Sequence, residues 1–287
     1  MKSYSLLSHR SQEPENGILY VVGTPIGNLN DISPRAINIL KNVSLIACED
    51  TRQTKKIMNK YSISNNLISF NKHNSLNKTP RIVQDLKKGK SIALVSDAGM
   101  PGICDPGEDM IKEVKSVGID VICIPGACAA ITALVSSGIP SSSFLFVGFL
   151  PKKKIEREKI LLEISENEKT TIIYESPHRL KKLVKDLYKL CGGEREIEVS
   201  RELTKRFEEH IGNNIHDVLS FLEDKEIIGE ITVILKGNNK KKTLELNELS
   251  LKSELNDLID AGLSLSGASK YLAKRHGIKK NIIYNLR

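Results

Sequence analysis

The sequence predicts an α/β protein of two domains followed by a small helical unit. Three observations carry this. Short runs of apolar or small residues such as Ile18–Val22 and Ser91–Val95 read as strands buried on both faces, and they alternate with amphipathic, helix-like stretches. Several of the runs end in loops of glycine, proline and small residues, which suit the crevice beyond the carboxyl ends of strands in an open α/β sheet. A length of 287 residues exceeds what one core usually organises. Hydrophobic content of 40% with 27% charged residues is ordinary for a globular protein.

Met1 to Asn16 is polar, lacks the apolar core of a signal peptide and reads as a loose extension. The first strand, Ile18–Val22, opens into Gly23-Thr24-Pro25-Ile26-Gly27-Asn28-Leu29. Ser33-Pro34 then reads as an N-cap and first helical proline, starting a helix to about Lys41. Val43–Cys48 is the next strand, ending in Glu49-Asp50-Thr51-Arg52. A dinucleotide-binding βαβ unit has this order, but its fingerprint needs a middle glycine that is missing between Gly23 and Gly27. Leu67–Phe70 runs into Asn71-Lys72-His73-Asn74, and Thr79-Pro80 is expected to cap a helix to Lys88. The strand Ser91–Val95 leads into Ser96-Asp97-Ala98-Gly99-Met100-Pro101-Gly102-Ile103-Cys104-Asp105-Pro106-Gly107. A helix to Val117 and a strand Ile119–Ile124 follow. Pro125-Gly126-Ala127-Cys128-Ala129 then places tiny side chains at a helix start, leaving backbone N–H groups free for a ligand.

Phe144–Pro151 closes the first half, giving expected boundaries at 17–150 and 151–237. In the second half, strands at Thr170–Tyr174, Ile197–Arg201 and Ile231–Leu235 alternate with helices from about Ile155, Pro177 and Ile215. A basic linker spans Lys236 to Lys242. Residues 243–287 read as helices, with Lys274, Arg275, Lys279 and Lys280 around a turn at His276-Gly277, a helix-turn-helix-like pattern. A three-helix packing unit is the plain alternative.

Net charge is +8, and the segment from Lys236 to Arg287 holds 11 Lys and Arg against 5 Asp and Glu. A basic tail on a near-neutral body suits a polyanionic partner such as nucleic acid, and equally a solvated surface. The five cysteines form no CxxC pair, so a zinc site or disulfide frame is not expected and a reducing, cytoplasmic setting is. No apolar segment approaches the ~20 residues of a membrane span. No metal-ligand spacing is present.

Taken in order, VGTPIGNLNDI (22–32), CEDTRQT (48–54), NKHN (71–74), VSDAGMPGICDPG (95–107), PGACAAITAL (125–134), GFLP (148–151), YESPHR (174–179), RELTK (201–205) and GEITVILKG (229–237) resemble the bacterial ribosomal RNA small-subunit methyltransferase I family. That family lies within the tetrapyrrole-methylase, or class III S-adenosylmethionine (SAM) methyltransferase, fold group. Gly23 departs from the pattern, where relatives often carry proline. The resemblance implies two α/β domains with SAM between them, a small C-terminal helix-turn-helix-like domain and a homodimer. It implies 2′-O-methylation of a cytidine ribose in the decoding region of 16S ribosomal RNA, as free RNA or in the small ribosomal subunit. Carried over by position, Thr24, Pro25, Ile26 and Gly27 line the cleft floor. Asp97, Ala98, Gly99, Met100 and Ile103 hold the methionine end, Cys128 and Ala129 pack beside the donor, and Tyr174, Glu175, Glu202 and Thr232 close the site.

A ribose hydroxyl benefits from a base, and the strand ends offer Asp50, His73, Glu175 and Glu202, of which Asp50 and His73 are the expected catalytic pair. An Asp50–Arg52 ion pair is the plain alternative for the first. Arg52, Arg179 and Lys205, with Lys274, Arg275, Lys279 and Lys280, are the expected RNA contacts. Two rivals stand beside this reading. One is methylation of a small tetrapyrrole on the same fold; the other is a non-enzymatic RNA-binding regulator, which leaves the glycine-rich loops unexplained.

Overall fold

A computed structural model of the chain describes residues 13–223, 225–238, 248–276 and 278–286. The N-terminal extension and the 236–242 linker lie partly outside the described residues, as do the start of the 243–287 region and the turn at Gly277. The described residues form two compact units, one ending at Gly237 and one beginning at Asn238.

The first unit is built on two five-stranded sheets. In chain order its elements begin with β1 (Leu19–Val22), α1 (Pro34–Asn42), β2 (Leu45–Cys48), α2 (Thr51–Lys60), β3 (Leu67–Ser69) and α3 (Ser75–Lys87). There follow β4 (Ile92–Val95), α4 (Glu108–Ser116), β5 (Val121–Ile124) and α5 (Ala129–Ser137). These five strands form one parallel sheet in the order β3-β2-β4-β1-β5. Alternation along the strands splits its core in two. Tyr20, Val22, Ile46, Ala93 and Val95 face Ile39, Leu40, Ile57 and Met58 of α1 and α2. Leu19, Ala47, Ile92 and Leu94 face Ile82, Leu86, Met110 and Val114 of α3 and α4. Strands clothed on both faces have no polar side, which is why β1 and β4 read as unbroken apolar runs.

The second sheet contains β6 (Phe144–Phe149), β7 (Thr170–Glu175), β8 (Glu196–Arg201), β9 (Glu209–Asn214) and β10 (Ile231–Leu235), ordered β6-β7-β10-β8-β9. Only β6 and β7 run parallel. One face packs on α6 (Lys154–Glu166), α7 (Pro177–Cys191) and α8 (Ile215–Phe221) through Leu161, Leu180, Leu183, Val184, Val218 and Val233. The other face, through Ile172 and Ile234, packs on Ala130, Ala133 and Leu134 of α5 together with Ile26 and Leu203. Helix α5 thus leaves the first sheet and lies beneath the second.

Three expectations change. By strand pairing the second sheet begins at Phe144, before the boundary placed at residue 150. Helix α3 begins at Ser75, a turn before Thr79-Pro80. Asn71 starts that turn, its carbonyl accepting from Ser75 N and its Oδ1 from His73 N, and Pro80 is carried inside the helix. Strand β9, EHIGNN, escapes sequence reading because Ile211 is its one buried side chain at the sheet edge.

The second unit packs α9 (Glu248–Asp260), α10 (Leu265–His276) and α11 (Lys280–Tyr284) around Leu255, Ala268, Leu272 and Ile283. Lys274, Arg275, Lys279 and Lys280 are all exposed. Glu254 accepts from His276 Nε2 at 3.0 Å and pairs with Arg275 at 3.6 Å, and Lys280 Nζ donates to Ser266 Oγ at 2.8 Å.

Candidate functional site

Four loops leave the carboxyl ends of β1, β2, β4 and β5 and converge on the second sheet. The first and last of them touch through glycines. A Cβ on Gly23 would stand 2.7 Å from Gly126 Cα, and one on Gly126 2.7 Å from Gly23 Cα, so in this chain a side chain at either position would force the two loops apart. Thr24 then fixes the β4 loop: its N–H donates to Gly99 O at 2.9 Å and Gly99 N returns a bond to Thr24 O at 3.1 Å. A Cβ on Gly27 would meet Lys205 Cγ at 2.5 Å, and Asn28 N donates to Thr204 Oγ1 at 3.0 Å, so this turn seats against the β8–β9 loop. In that loop Glu202 and Thr204 adopt positive φ of 54° and 66°, a strained pair that drives Leu203 between the sheets.

These loops enclose a cavity of about 480 Å³, within the range of small-molecule sites. Its apolar wall includes Ile26, Met100, Ile103, Phe149, Leu203 and Ile231, and its polar wall Glu49, Asp97, Asp105, Glu175, Ser200 and Glu230. Of the residues expected around the donor, Ile26, Asp97, Ala98, Gly99, Met100, Ile103, Cys128, Ala129, Tyr174, Glu175 and Thr232 line it. Thr24, Pro25, Gly27 and Glu202 do not; Thr24, Gly27 and Glu202 hold the loops that do. Sequence reasoning missed Glu49, Cys104, Asp105, Phe149, Ser200 and Leu203. All but Ser200, which directly precedes RELTK, sit inside the motifs quoted above, so the signal was present without a reason to select them.

Beside this cavity lies a polar pocket of about 400 Å³ lined by Glu49, Asp50, Thr51, Arg52, Ser69, Asn71, Lys72 and His73. It brings together the CEDTR and NKHN loops, which adjoin because β2 pairs with β3.

The electrostatics sort the candidates. Asp50 caps α2 by accepting from Arg52 N at 2.8 Å, and its carboxylate also takes the Arg52 guanidinium at 2.7 Å, which holds its pKa below the usual range. Glu175 is wholly buried, accepting from Arg157, from Ser176 N at 2.8 Å and pairing with Arg179 at 3.3 Å. Arg179 also donates to Leu150 O and Pro151 O. Burial opposes ionisation of Glu202, but the Lys205 ammonium at 2.9 Å and the Glu230 N–H outweigh it and leave its pKa lowered. Asp50 and Glu202 are therefore poor bases, the oxygens of Glu175 are taken by Arg157, Ser176 N and Arg179, and Arg179 and Lys205 are spent inside the protein rather than offered to RNA. Arg52 keeps an exposed guanidinium edge, its side chain 85% accessible.

Three other carboxyls behave differently. Burial lifts Asp97, with the Asp50 carboxylate adding to it, and Asp97 Oδ1 accepts from Asp50 N at 2.9 Å. Burial also lifts Asp105 and Glu49. Burial raises the pKa of the Tyr174 hydroxyl, outweighing the bond it accepts from Ala130 N at 3.1 Å, so the phenol stays neutral. Burial likewise raises the Cys104 thiol, which stays protonated.

SAM carries a cationic sulfonium, an ammonium, a carboxylate and an apolar adenine. The cavity supplies carboxylates, apolar walls and the start of α5, whose cap residue Cys128 makes no side-chain bond to the first-turn N–H groups. The residues fit that group. Among the described residues no cluster of His, Cys, Asp or Glu could hold a metal, and no helix is long and apolar enough to cross a membrane.

The model for tetrapyrrole (corrin/porphyrin) methylases matches residues 18–218. A ribosomal RNA small subunit methyltransferase I from Halalkalibacterium halodurans is 42% identical over 96% of this chain and 96% of its own length. The protein of the same name from Synechocystis is 40% identical over 94% and 97%. Among solved structures, a cobalt precorrin-4 methyltransferase superposes with a TM-score of 0.59 at 14% identity, covering 77% of this chain and 95% of its own. Diphthine synthase superposes at 0.56 and 11%, covering 76% and 89%. The strand order, the loops meeting at the cavity and these likenesses agree: the chain belongs to the tetrapyrrole (corrin/porphyrin) methylase family and is a methyltransferase.

Proposed function

We propose that the protein transfers a methyl group from SAM to the 2′-hydroxyl of a cytidine ribose in the decoding region of 16S ribosomal RNA. The observation that carries this is a donor-sized cavity adjoining a polar pocket that presents Arg52, Lys72, Asn71 and His73. Those side chains suit a sugar–phosphate strand. Coverage separates this reading from the tetrapyrrole one. The solved methyltransferases of the same fold cover 76–77% of the chain, whereas the Halalkalibacterium relative named for ribosomal RNA extends over 96% of it.

When bound, SAM supplies an electrophilic methyl on a good leaving group. The protein's part is then geometry, a contribution that can reach roughly 7–11 kcal/mol. Asp97 and Asp105 would hold a cationic group of SAM, the start of α5 beside Ala129 would receive its carboxylate, and Ile103, Phe149 and Ile231 would shield the reacting atoms from water. Arg52 and Lys72 steer phosphates into the second pocket, and Lys274, Arg275, Lys279 and Lys280 extend the basic footprint beside the exposed Tyr271 and Tyr284. The protein works in the cytoplasm as a homodimer, with Ile131, Val135, Phe144 and Leu145, all exposed on α5 and β6, available to a second copy. Sedimentation giving a monomer at micromolar concentration removes the dimer from the proposal.

The test uses labelled SAM and small ribosomal subunits from cells lacking the modification. Label recovered on one cytidine ribose after nuclease mapping upholds the reading. A protein that binds SAM yet labels neither subunits nor naked RNA overturns it.

A further inference from the structure

We propose that Glu49 is the general base of the methyl transfer, because among the described residues it alone lines both the donor cavity and the polar pocket beside it. The proposal rests on the reading of the substrate as a ribose hydroxyl. A hydroxyl held in the polar pocket and a methyl delivered from the donor cavity meet only where the two spaces join. Among the described residues Glu49 is the one lining side chain common to both. Asp50 and His73 line the polar pocket only, and Glu175 the donor cavity only.

The three carboxylates singled out as bases from the sequence are occupied. Asp50 is tied to Arg52, Glu175 to Arg157 and Arg179, and Glu202 to Lys205. Glu49 has no ion pair among the described residues, leaving a carboxylate oxygen for a hydroxyl proton. Its surroundings suit the role. Burial raises its pKa, and Asp105 and Asp97 on the β4 loop raise it further, against the Asp97 N–H and the Lys72 ammonium. Asp50, Arg52 and His73 face it across the polar pocket, and Glu175 and Glu230 across the donor cavity. A base raised toward neutrality is a better proton acceptor than one pinned low by a guanidinium.

The ribose 2′-oxygen forms a bond to the methyl carbon as its proton passes to Glu49. The carbon–sulfur bond breaks, and its electron pair stays on sulfur, giving a neutral thioether. The Glu49 proton then passes to water.

The test compares the wild-type full chain with Glu49→Gln and Glu49→Asp on unmethylated small subunits. SAM affinity is measured separately by calorimetry, and folding by thermal unfolding. Expected for Glu49→Gln is a fall in kcat of about 10²–10⁴-fold with near wild-type SAM affinity. The acid limb of the wild-type pH–rate profile, lying above the ordinary glutamate range, disappears with it. Glu49→Asp recovers part of the rate and keeps an acid limb. Two results overturn the assignment while leaving the substrate reading intact: Glu49→Gln turning over at the wild-type rate, or losing SAM affinity in proportion to its rate, which makes Glu49 a donor contact. Wild-type protein that binds SAM but labels no RNA overturns the substrate reading, and the base with it.

Discussion

His210 on β9 lies between two carboxylates, its Nδ1 3.0 Å from Glu198 and its Nε2 3.1 Å from Glu208. Burial lowers its pKa, but the hydrogen bonds to Glu198 and Glu208 outweigh this and leave it raised. The stability so gained is present in full below the unfolded histidine value of about 6.5 and is lost as pH rises through the folded value. Thermal unfolding of His210→Gln beside wild type, from about pH 5 to pH 9, is expected to show a gap that closes as pH rises. Tyr174 offers a second residue-scale test. Tyr174→Phe keeps the ring against Phe146 and Phe149, 5.0 and 5.6 Å away, but strips Ala130 N–H of its acceptor. The expected cost is about 1–3 kcal/mol in urea unfolding. At this scale the sequence was least informative. CEDTR and YESPHR were recognisable as charged strand ends, but charge alone does not say which side chains pair inward. Arg179 looked available for RNA and is held by Glu175 and two carbonyls; Glu49 looked like one more acid and stands where two spaces join.

Elements were more legible, because their signals are local. Ser33 caps α1 as expected, accepting from Ala36 N at 3.1 Å, and Ser33→Ala should cost about 0.5–2 kcal/mol by the same unfolding measurement. Strands β1 and β4 announced themselves by burial on both faces. Strand β9 did not, since an edge strand needs one apolar anchor and its pairing with β8 is a tertiary fact. The helix start at Thr79-Pro80 misled because proline marks a first turn by habit and is carried inside α3 instead. The Gly23–Gly126 contact belongs to this scale too. Gly126→Ala must part the loops of β1 and β5, and is expected to weaken SAM binding while far-UV circular dichroism stays that of the wild type. Unchanged affinity shows that the loops yield without disturbing the cavity.

At the scale of the molecule, the two units divide the labour. A chain ended at Gly237 retains both sheets and the cavity, so SAM binding is expected to survive while affinity for ribosomal RNA falls and its dependence on salt becomes shallower, as fewer cations meet phosphate. Loss of SAM binding by that folded fragment contradicts the division. The number of sheets and the basic tail were readable from composition and order. The seam between the sheets was not, because α5 follows a strand of one sheet and is buried under the other.

The strand order carries a consequence for how the protein is made. Strand β1 lies inside its sheet, yet both its neighbours, β4 and β5, are far downstream in the chain. At synthesis rates of about 5–20 residues per second, β1 waits several seconds with both edges unpaired and its Leu-Tyr-Val-Val run bare. Cotranslational folding of this half cannot finish until Ile124 has cleared the exit tunnel, and the nascent chain before that point is the one a chaperone meets.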